Sequence, residues 1–374
     1  RVIVMLCICV NSQGIEDCKE PDVFKATEFL PPYECVGKFD RLGEQSDACK
    51  ASLLEMMEER QRRTLCTDVV AAGFMNYGLG STFNYMIVQM HRALRDRRSI
   101  AFVGEWVYAG CEHRNFSCAF EPVSPCDLRG APLVYPRMAP DPTPWDIEKG
   151  FAACFQGRQN PLFHFVSTLA GFLFKPNQEM LLAAEAVRKK IGLPDEYLGI
   201  HIRHGDFCIA HTVTSDPKEC FAVSHYSQEL QRLSDRYNIT HVYLATDNAD
   251  AIDMIRWQCP QLTFYWQDDV DRAFLELKDQ DLERKRIFLE ERLFDSDADR
   301  RQRHLREIMV DLILLSYGFG FVGQFSSNIS KILLALGTFL RGGKMVPYIS
   351  LDIPWCWNGM KPTSIPGYHS LWQC

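Results

Sequence analysis

Short apolar segments alternate with helical segments along most of this chain, and that alternation limits the possible folds more than any other feature. In the first half, an apolar run at 69–74 precedes a glycine-rich turn, a helical segment at 83–95 and another apolar run at 99–103. The second half repeats the rhythm with apolar runs at 197–202, 241–245, 262–266 and 318–324. Strands that alternate with helices are typical of α/β proteins with parallel sheets. We therefore predict a doubly wound, Rossmann-like α/β fold in each half.

The length of 374 residues fits two domains of roughly 150 residues each with a further short segment. Two helical segments are separated at Lys175-Pro176, and we place the domain boundary just after this break. The prediction is a first domain at 15–180, a second domain at 181–345 and an aromatic, proline-containing tail at 346–374. A stretch with seven prolines at 121–145 predicts a long loop with a functional role.

The net charge limits the partners that the chain can bind. It carries 41 Lys and Arg against 48 Asp and Glu, which gives a formal charge of −7. That sign argues against a broad surface for nucleic acid or anionic lipid, although a local basic pocket can still bind a phosphate. Residues 268–303 are rich in charged side chains of both signs, which predicts an exposed helical insertion. Within it we place Asp295, Asp297 and Asp299 on the surface, because Arg300 stands where a calcium loop needs glycine.

The chain has 15 cysteines but no Cys-x-x-Cys pair, which favours disulfides over a thiolate zinc site. The odd number predicts a thiol without a partner in the chain, and we assign it to Cys208. Sequons at Asn115, Asn238 and Asn328 agree with a protein of the secretory pathway. At 1–14 a basic residue precedes nine apolar ones, which fits the remnant of a signal peptide or anchor; a buried strand is the alternative.

Polar side chains follow the predicted strands of the second half, at the edge where open α/β sheets bind ligands. The segment 199–206 reads Gly-Ile-His-Ile-Arg-His-Gly-Asp, and the strand period places His201 and Arg203 on the same side. An arginine beside a glycine at a strand end can bind a phosphate through two parallel hydrogen bonds. The alternative is a structural ion pair between Arg203 and an aspartate of the same turn.

Three further features lie in comparable positions. Asp247 follows a predicted strand, and the sequence alone favours a plain helix cap there. Ser326 and Ser327 precede a helix, where free N–H groups and the helix dipole can bind an anion; a plain N-cap is the alternative. Asp311 is the one acid in an apolar helical segment. A buried acid needs a partner, which is either a donor on a ligand or a structural hydrogen bond.

Together these segments resemble the fucosyltransferase superfamily with the GT-B fold, and most closely the α1,6-fucosyltransferases that modify the N-glycan core. Residues 201–206 resemble the first donor motif, His-x-Arg-x-x-Asp, and residues 242–247 resemble the second. The segment from Asp311 through Ser327 resembles the third motif. In the first half the matching segments are Gly78-Leu-Gly80, Trp106-Val-Tyr108-Ala109, Pro122-Val-Ser124 and Phe172-Leu-Phe-Lys-Pro176.

The resemblance implies two Rossmann-like domains that face a cleft, and transfer of fucose from GDP-fucose to a glycan or glycoprotein acceptor. It implies inversion at the anomeric carbon and no metal or other cofactor. Arg203 would hold the β-phosphate, Asp311 would face the guanine, and Asp206 would help to order the pocket. The implied donor-binding residues are His201, Arg203, Asp247, Asp311, Ser326, Ser327 and Asn328. The implied acceptor-side loop comprises Gly78, Gly80 and Asn84, and the catalytic residues are Arg203, Asp206 and His211.

The chain departs from the family at the end of the first motif. A second arginine and a later lysine are common there, whereas this chain has His204 and Phe207. The family's proposed catalytic base is a glutamate five residues after the motif's aspartate. Counting places His211 there, and a gap in the alignment would instead bring in Asp216 or Glu219.

The expected acceptor is the core GlcNAc of an N-glycan, joined through an α1,6 linkage. Protein Ser/Thr residues and wall polysaccharides are the alternative acceptors. A non-catalytic protein that binds a nucleotide sugar or a glycan is the alternative of another class. The expected location is the Golgi lumen within the secretory pathway, with no nucleic-acid partner and with an N-terminal membrane anchor as one option. The sequence leaves the oligomeric state open.

Overall fold

The computed structural model describes residues 27–29, 48–62, 66, 68–74, 78–126, 161–206, 208, 220–275, 288–353 and 355. The predictions for residues 1–14, for most of the proline-rich stretch and for the end of the tail lie outside these ranges. No helix in the described ranges is long and apolar enough to cross a membrane.

The first half contains a small parallel sheet. Helix α1 (Ala48–Gln61) precedes strand β2 (Val69–Gly73), which pairs in parallel with β3 (Ser99–Val103). Helix α2 (Leu79–Arg95) connects the two strands and buries its apolar face. This is the strand, glycine turn, helix and strand that the sequence predicts, although the helix begins earlier than expected.

Two helices connect this part to the second half. Helix α3 spans Pro161–Leu173 and helix α4 spans Gln178–Ile191. The side chain of Asn177 accepts a hydrogen bond from the first turn of α4, which is a standard N-cap. Gly192 ends α4 in the left-handed region, at φ 68°, where a residue without Cβ is favoured. The break predicted at Lys175-Pro176 is therefore present between the two helices.

Six strands form the second sheet in the described part of the chain: β1 Thr27–Phe29, β4 Leu198–Ile202, β5 His241–Thr246, β6 Thr263–Tyr265, β7 Gly320–Gly323 and β8 Tyr348–Ser350. Their order in the sheet is β1-β8-β7-β4-β5-β6. Neighbouring strands run parallel, except that β1 runs antiparallel to β8. The chain moves outward from β4 through β5 to β6 and then returns to β7 beside β4. This reversal is the switch point of a doubly wound sheet.

Helices connect these strands and cover both faces of the sheet. Their bounds are α5 Val223–Tyr237, α6 Ala249–Gln258, α7 Arg272–Leu275, α8 Leu289–Phe294, α9 Ala298–Tyr317 and α10 Asn328–Leu340. One hydrophobic cluster packs α5 and α6 against one face of the sheet. The other face packs on α9 and α10, and this second cluster continues into α2, α3 and the small sheet. The two halves of the chain therefore share one apolar core.

The structure confirms the predicted α/β class and the predicted strands of the second half. The prediction for Cys208 is wrong, because this residue forms a disulfide with Cys220. Disulfides also join Cys66 to Cys126 and Cys111 to Cys118. Among the described cysteines the free thiol is Cys259, which is buried. The domain boundary after residue 180 stays a prediction.

Candidate functional site

A cavity of about 250 Å³ lies at the carboxyl end of β4, beside the switch point of the six-stranded sheet. Most of the residues that the sequence singles out line it: Gly78, Gly80, His201, Arg203, Asp206, Asp247, Asp311, Ser326, Ser327 and Asn328. Asn84 does not line the cavity; it lies in α2 and is 4 % exposed. His211, Asp216 and Glu219 lie outside the described residues.

Arg203 stands just beyond β4 between two carboxylates. Its guanidinium donates to Asp247 from Nη1 and to Asp206 from Nη2. The arginine side chain is 29 % exposed, whereas the two carboxylates are 12 % and 6 % exposed. A guanidinium has five N–H donors, so Arg203 can bind an anion in the cavity while both ion pairs persist. The structural ion pair that the sequence leaves as an alternative is therefore present, and it holds the arginine at the cavity wall.

Asp247 closes the turn that follows β4. Its Oδ1 accepts the backbone N–H groups of His204 and Gly205, at 2.9 and 3.0 Å. A Cβ atom on Gly205 would lie 2.6 Å from Oδ2 of Asp247, so this close approach requires glycine. The predicted helix cap at Asp247 is wrong. The cap of α6 is Asn248, whose side chain accepts from the N–H of Ala251, because the carboxylate of Asp247 is used by the turn.

The N-terminus of α10 points into the same cavity. Ser327 is the N-cap residue, which agrees with the predicted helix start, and its side chain makes no capping bond. The carboxylate of Asp352 accepts the preceding N–H groups of Phe325 and Ser326, at 2.8 and 3.0 Å. Within the described part of the chain, no hydrogen bond satisfies the N–H groups of residues 328–330. The positive end of the helix dipole is therefore available to an anion.

Helix α2 brings a second N-terminus to the cavity. It begins after Gly78, which supplies no side-chain cap. Nδ2 of Asn328 donates to Oγ of Ser81 at 3.0 Å, and this bond joins the starts of the two helices. A Cβ atom on Gly80 would lie 2.7 Å from the backbone nitrogen of Ile329. The glycine thus allows the two helix starts to approach closely.

Two polar side chains near these helix starts have capacity for a ligand. The hydroxyl of Ser326 is buried and has no hydrogen-bond partner among the described residues. His201 lies within 2.9 Å of Oγ of Ser330 through its Nδ1 atom. Burial, together with the nearby charge of Arg203, lowers the pKa of His201 to about 3. Its imidazole is therefore neutral at physiological pH.

Asp311 lies in α9 on the β5 side of the cavity. Its Oδ1 accepts from the hydroxyl of Tyr243 at 2.6 Å and from Nε2 of Gln267 at 2.7 Å. Burial raises the pKa of Asp311 to about 6, although both of these hydrogen bonds favour the ionised form. The second oxygen accepts no hydrogen bond in the described part of the chain. Asp311 thus has structural partners and also a free oxygen for a donor.

The structure adds two residues that the sequence does not assign to the site, Tyr108 and Glu290. The hydroxyl of Tyr108 donates to Oε1 of Glu290 at 2.5 Å, and both residues line the cavity. Leu289, which precedes Glu290 in the chain, donates its N–H to Oδ2 of Asp206 at 3.2 Å. Burial raises the pKa of Glu290.

The prediction of an exposed insertion at 268–303 is therefore wrong around α8. Leu293 is fully buried, and Arg292 is 8 % exposed. The apolar spacing of Leu289 and Leu293 was the available signal, because residues four apart share a helix face. Farther along, Asp295, Asp297 and Asp299 are exposed, as predicted.

One group of possible metal ligands occurs among the described residues, and it comprises His204, Cys208 and Cys220. The two cysteines are joined in a disulfide, so they offer no thiolate. His204 instead places Nε2 at 2.7 Å from the carbonyl oxygen of Phe221. The disulfide that cross-links the turn after Arg203 therefore explains why these three residues lie close together.

No protein-family model matches this chain, and no curated protein matches it in sequence. Among solved structures, it is similar to the fucosyltransferase NodZ from Bradyrhizobium, with 15 % identity over 71 % of this chain and 92 % of that one, at a TM-score of 0.40. It is also similar to POFUT1 in its apo form, with 11 % identity over 71 % and 93 % of the two chains and a TM-score of 0.38. A variant of FUT1 from Arabidopsis thaliana in complex with GDP gives 11 % identity, 79 % and 78 % coverage and a TM-score of 0.41. These backbones superimpose loosely, so a function for this chain has to be argued from its own site.

Proposed function

We propose that this chain is an inverting glycosyltransferase that moves fucose from GDP-fucose to a glycan acceptor and needs no metal ion. One observation carries the proposal. Arg203, held by Asp206 and Asp247, faces the cavity that the starts of α2 and α10 also border. In α2 the N–H of Leu79 donates to the hydroxyl of Tyr108, whereas Ser327 makes no capping bond at the start of α10. A half-buried cation and two helix N-termini that converge on one cavity form a binding site for a diphosphate.

The diphosphate binds between Arg203 and the start of α10. Arg203 contacts the β-phosphate through the donors that its two ion pairs leave free. The N–H groups of α10, the hydroxyl of Ser326 and the region of Ser327 and Asn328 bind the remaining phosphate oxygens. His201, which is neutral, lies beside the nucleotide and can donate or accept a hydrogen bond.

The base binds on the β5 side of the cavity, next to Asp311. The free oxygen of Asp311 accepts from N–H groups on the Watson–Crick edge of guanine. The Watson–Crick edge of guanine has an N–H group and an adjacent amino group, whereas the same edge of uracil has one N–H group. A carboxylate at this position therefore favours guanine. Asp206 and Asp247 hold the arginine and the turn in position and do not contact the base.

The same groups stabilise the leaving group. Fucosyl transfer breaks the bond between the anomeric carbon and the β-phosphate oxygen, and negative charge develops on GDP. Arg203 and the helix dipoles are fixed in position before the reaction, so they stabilise this charge without reorganisation. The acceptor hydroxyl attacks from the opposite face of the sugar, which inverts the anomeric carbon.

The sugar and the acceptor follow from the motif resemblance. The first, second and third donor motifs point to fucose, and we propose the core GlcNAc of an N-glycan, in α1,6 linkage, as the acceptor. The acceptor would enter from the first half, where Gly78 and Gly80 border the cavity. The disulfides support a location in the lumen of the secretory pathway, and we propose the Golgi.

Calorimetric titration of GDP, with UDP and ADP as controls and with and without EDTA, tests the donor site. We expect selective binding of GDP that EDTA does not change. Transfer is then measured as GDP released from GDP-fucose in the presence of N-glycans with an exposed core, with the product identified by mass. Equal binding of all three nucleotides would refute the donor site. GDP binding without turnover on N-glycan, protein Ser/Thr or polysaccharide acceptors would instead indicate a non-catalytic binding protein.

A further inference from the structure

Glu290 occupies the point where the first half of the chain meets the turn after β4. Its Oε1 accepts a hydrogen bond from the hydroxyl of Tyr108. A Cβ atom on Gly78 would lie 3.2 Å from the same oxygen. On its other side, the N–H of Leu289 is bonded to Asp206, which in turn pairs with Arg203. Glu290 is therefore placed between the first half and the residues that we assign to the diphosphate.

Glu290 is also the cavity carboxylate with the fewest partners. Asp247 uses both oxygens, on Arg203 and on the turn N–H groups, and Asp206 uses both on Arg203 and Leu289. Asp311 receives two donors on Oδ1 and lies on the β5 side. Glu290 receives one side-chain donor, Tyr108, and its Oε2 accepts from no other residue in the described part of the chain.

A histidine of the same cavity wall is less suitable. Nε2 of His304 is buried and has no partner among the described residues, and Nδ1 lies 3.5 Å from Oε2 of Glu307. His304 is 5 % exposed and packs beside Glu307, whereas Glu290 is half-buried and is therefore the more accessible of the two. A group that receives a proton from a bound hydroxyl has to reach that hydroxyl within hydrogen-bond distance.

We propose that Glu290 is the catalytic base that takes the proton from the acceptor hydroxyl, and this inference rests on the proposed function. In this step Oε2 of Glu290 accepts the proton as the acceptor oxygen forms its bond to the anomeric carbon. The bond between that carbon and the β-phosphate oxygen breaks, and its electron pair leaves with GDP. Tyr108 is a positioning residue, because it holds Oε1 and so directs Oε2 to the cavity.

The surroundings of Glu290 suit this role. Burial raises its pKa, and the hydrogen bond from Tyr108 acts in the opposite direction. Of the charged groups that face it, Asp206 raises the pKa further and Arg203 lowers it. A raised pKa makes a carboxylate a stronger proton acceptor.

Three substitutions test the assignment in the full chain. Glu290→Gln keeps an oxygen for Tyr108 and removes the charge, so the fold and GDP binding should persist. We expect the turnover number for transfer to fall by about 10²–10⁴-fold, the usual contribution of a general base. Glu291→Gln, the same change at an exposed neighbour, should leave the rate unchanged. His211→Ala, run in parallel, compares the base that the motif resemblance implies.

Two further readouts separate catalysis from a structural effect. The acidic limb in the pH profile of the turnover number, measured at saturating GDP-fucose so that Asp311 does not limit donor binding, should disappear in Glu290→Gln, because the group that must be deprotonated is gone. Formate or azide should restore part of the rate of Glu290→Ala, since a small anion can occupy the space of the lost carboxylate. If the melting temperature of Glu290→Gln is much lower than that of the wild type, Tyr108→Phe is used as the test variant instead. It should lower the turnover number with little change in GDP binding.

The outcomes are distinguishable. A wild-type chain that binds no GDP would refute the proposed function and this inference with it. A wild-type chain that transfers fucose while Glu290→Gln keeps the full rate would overturn the assignment of Glu290 alone. Loss of the rate in His211→Ala but not in Glu290→Gln would likewise overturn it in favour of His211.

Discussion

Arg203 pairs with two carboxylates and also lines the cavity. It balances two nearly buried carboxylates, and it presents its remaining donors to the cavity. An isolated buried carboxylate is costly, so Asp206 and Asp247 need this cation whether or not a ligand is present. Under the proposed function, the arginine therefore combines this structural role with a role in binding.

Arg203→Lys separates these roles, because lysine keeps the charge and loses the planar fork. Each charge-assisted hydrogen bond contributes about 1.5–3 kcal/mol, so we expect GDP affinity to fall by about 10- to 100-fold. The fold should persist, since one cation still lies between the aspartates. Arg62→Lys, at a side chain that is 77 % exposed, is the matched control and should bind GDP normally. Calorimetric titration measures both, and wild-type affinity in Arg203→Lys would contradict the phosphate assignment.

Asp311 predicts a pH dependence of nucleotide binding. Its raised pKa of about 6 means that the free protein is protonated there below that pH, and a protonated carboxyl accepts poorly from guanine. GDP affinity should therefore rise as the pH increases from 5 to 7 and then level off. The groups that face Asp311 are Tyr243, Gln267, Arg272 and Glu307.

Comparison with Asp311→Asn isolates this effect from titration of the phosphate. The asparagine keeps an oxygen for Tyr243 and Gln267 but carries no charge at any pH. We expect the ratio of the Kd of Asp311→Asn to the Kd of the wild type to increase through pH 6. A ratio that is constant from pH 5 to 8 would show that Asp311 does not contact the base.

The residues of the site could be predicted unequally from the sequence. His201, Arg203 and Asp206 follow a clear apolar strand, and strand period with the switch-point rule places such residues at a ligand site. Glu290 could not be placed in this way. It lies in a charged segment, and only the packing of Leu293 and the contact with Tyr108, 182 residues earlier, bring it to the cavity.

At the scale of elements, the disulfide between Cys208 and Cys220 fastens the turn that carries Arg203. It joins residues 12 apart and lies next to His204, whose carbonyl oxygen accepts from the N–H of Cys208. A cross-link over a loop of about this size stabilises a protein by about 3 kcal/mol in the chain-entropy description. Its position gives it a second effect, because a loosened turn holds Arg203 less well.

The double substitution Cys208→Ser with Cys220→Ser should lower the melting temperature and weaken GDP binding several-fold. Cys111→Ser with Cys118→Ser removes a disulfide of the first half whose residues do not line the cavity. That control should lower the melting temperature and leave GDP affinity unchanged. Thermal melts and GDP titrations of both variants measure the difference. Equal GDP affinity in the two double variants would show that the first disulfide does not hold the site.

Elements were predictable where burial leaves a local pattern. The strands of the second half are short apolar runs, and β4, β5 and β6 lie where those runs are. The sequence does not predict β1 or β8, because β1 is three residues of mixed polarity and β8 follows Pro347 in the segment predicted as a tail. Helix α2 begins at Leu79, earlier than the sequence predicts. In the sequence, Gly78 and Gly80 indicate a turn. In the structure Gly80 lies in the first turn of α2, where the close approach of Ile329 leaves no room for a Cβ atom.

At the scale of the whole molecule, the two halves are joined by more than the cavity. The apolar core that includes α2 and α3 continues through α9 and α10. Oγ of Ser167 in α3 donates to the carbonyl oxygen of Ala335 in α10 at 2.7 Å. A Cβ atom on Gly171 would lie 2.1 Å from the ring of Phe339, so the two helices are in close contact. We expect such packing to couple the unfolding of the halves.

We therefore expect one calorimetric unfolding transition, and we expect GDP to raise its midpoint. A ligand that binds only the folded state at 100 times its Kd stabilises that state by about 2.7 kcal/mol. In a chain of this length such a gain raises the melting temperature by a few degrees. UDP at the same concentration should shift the midpoint less, and Arg203→Ala should abolish the shift with GDP. Two separate transitions, of which GDP moves only one, would show that the shared core does not make the halves cooperative. The candidate site is bordered by the starts of α2 and α10, one from each half, so a ligand bound there should resist the separation of the halves as well as their unfolding.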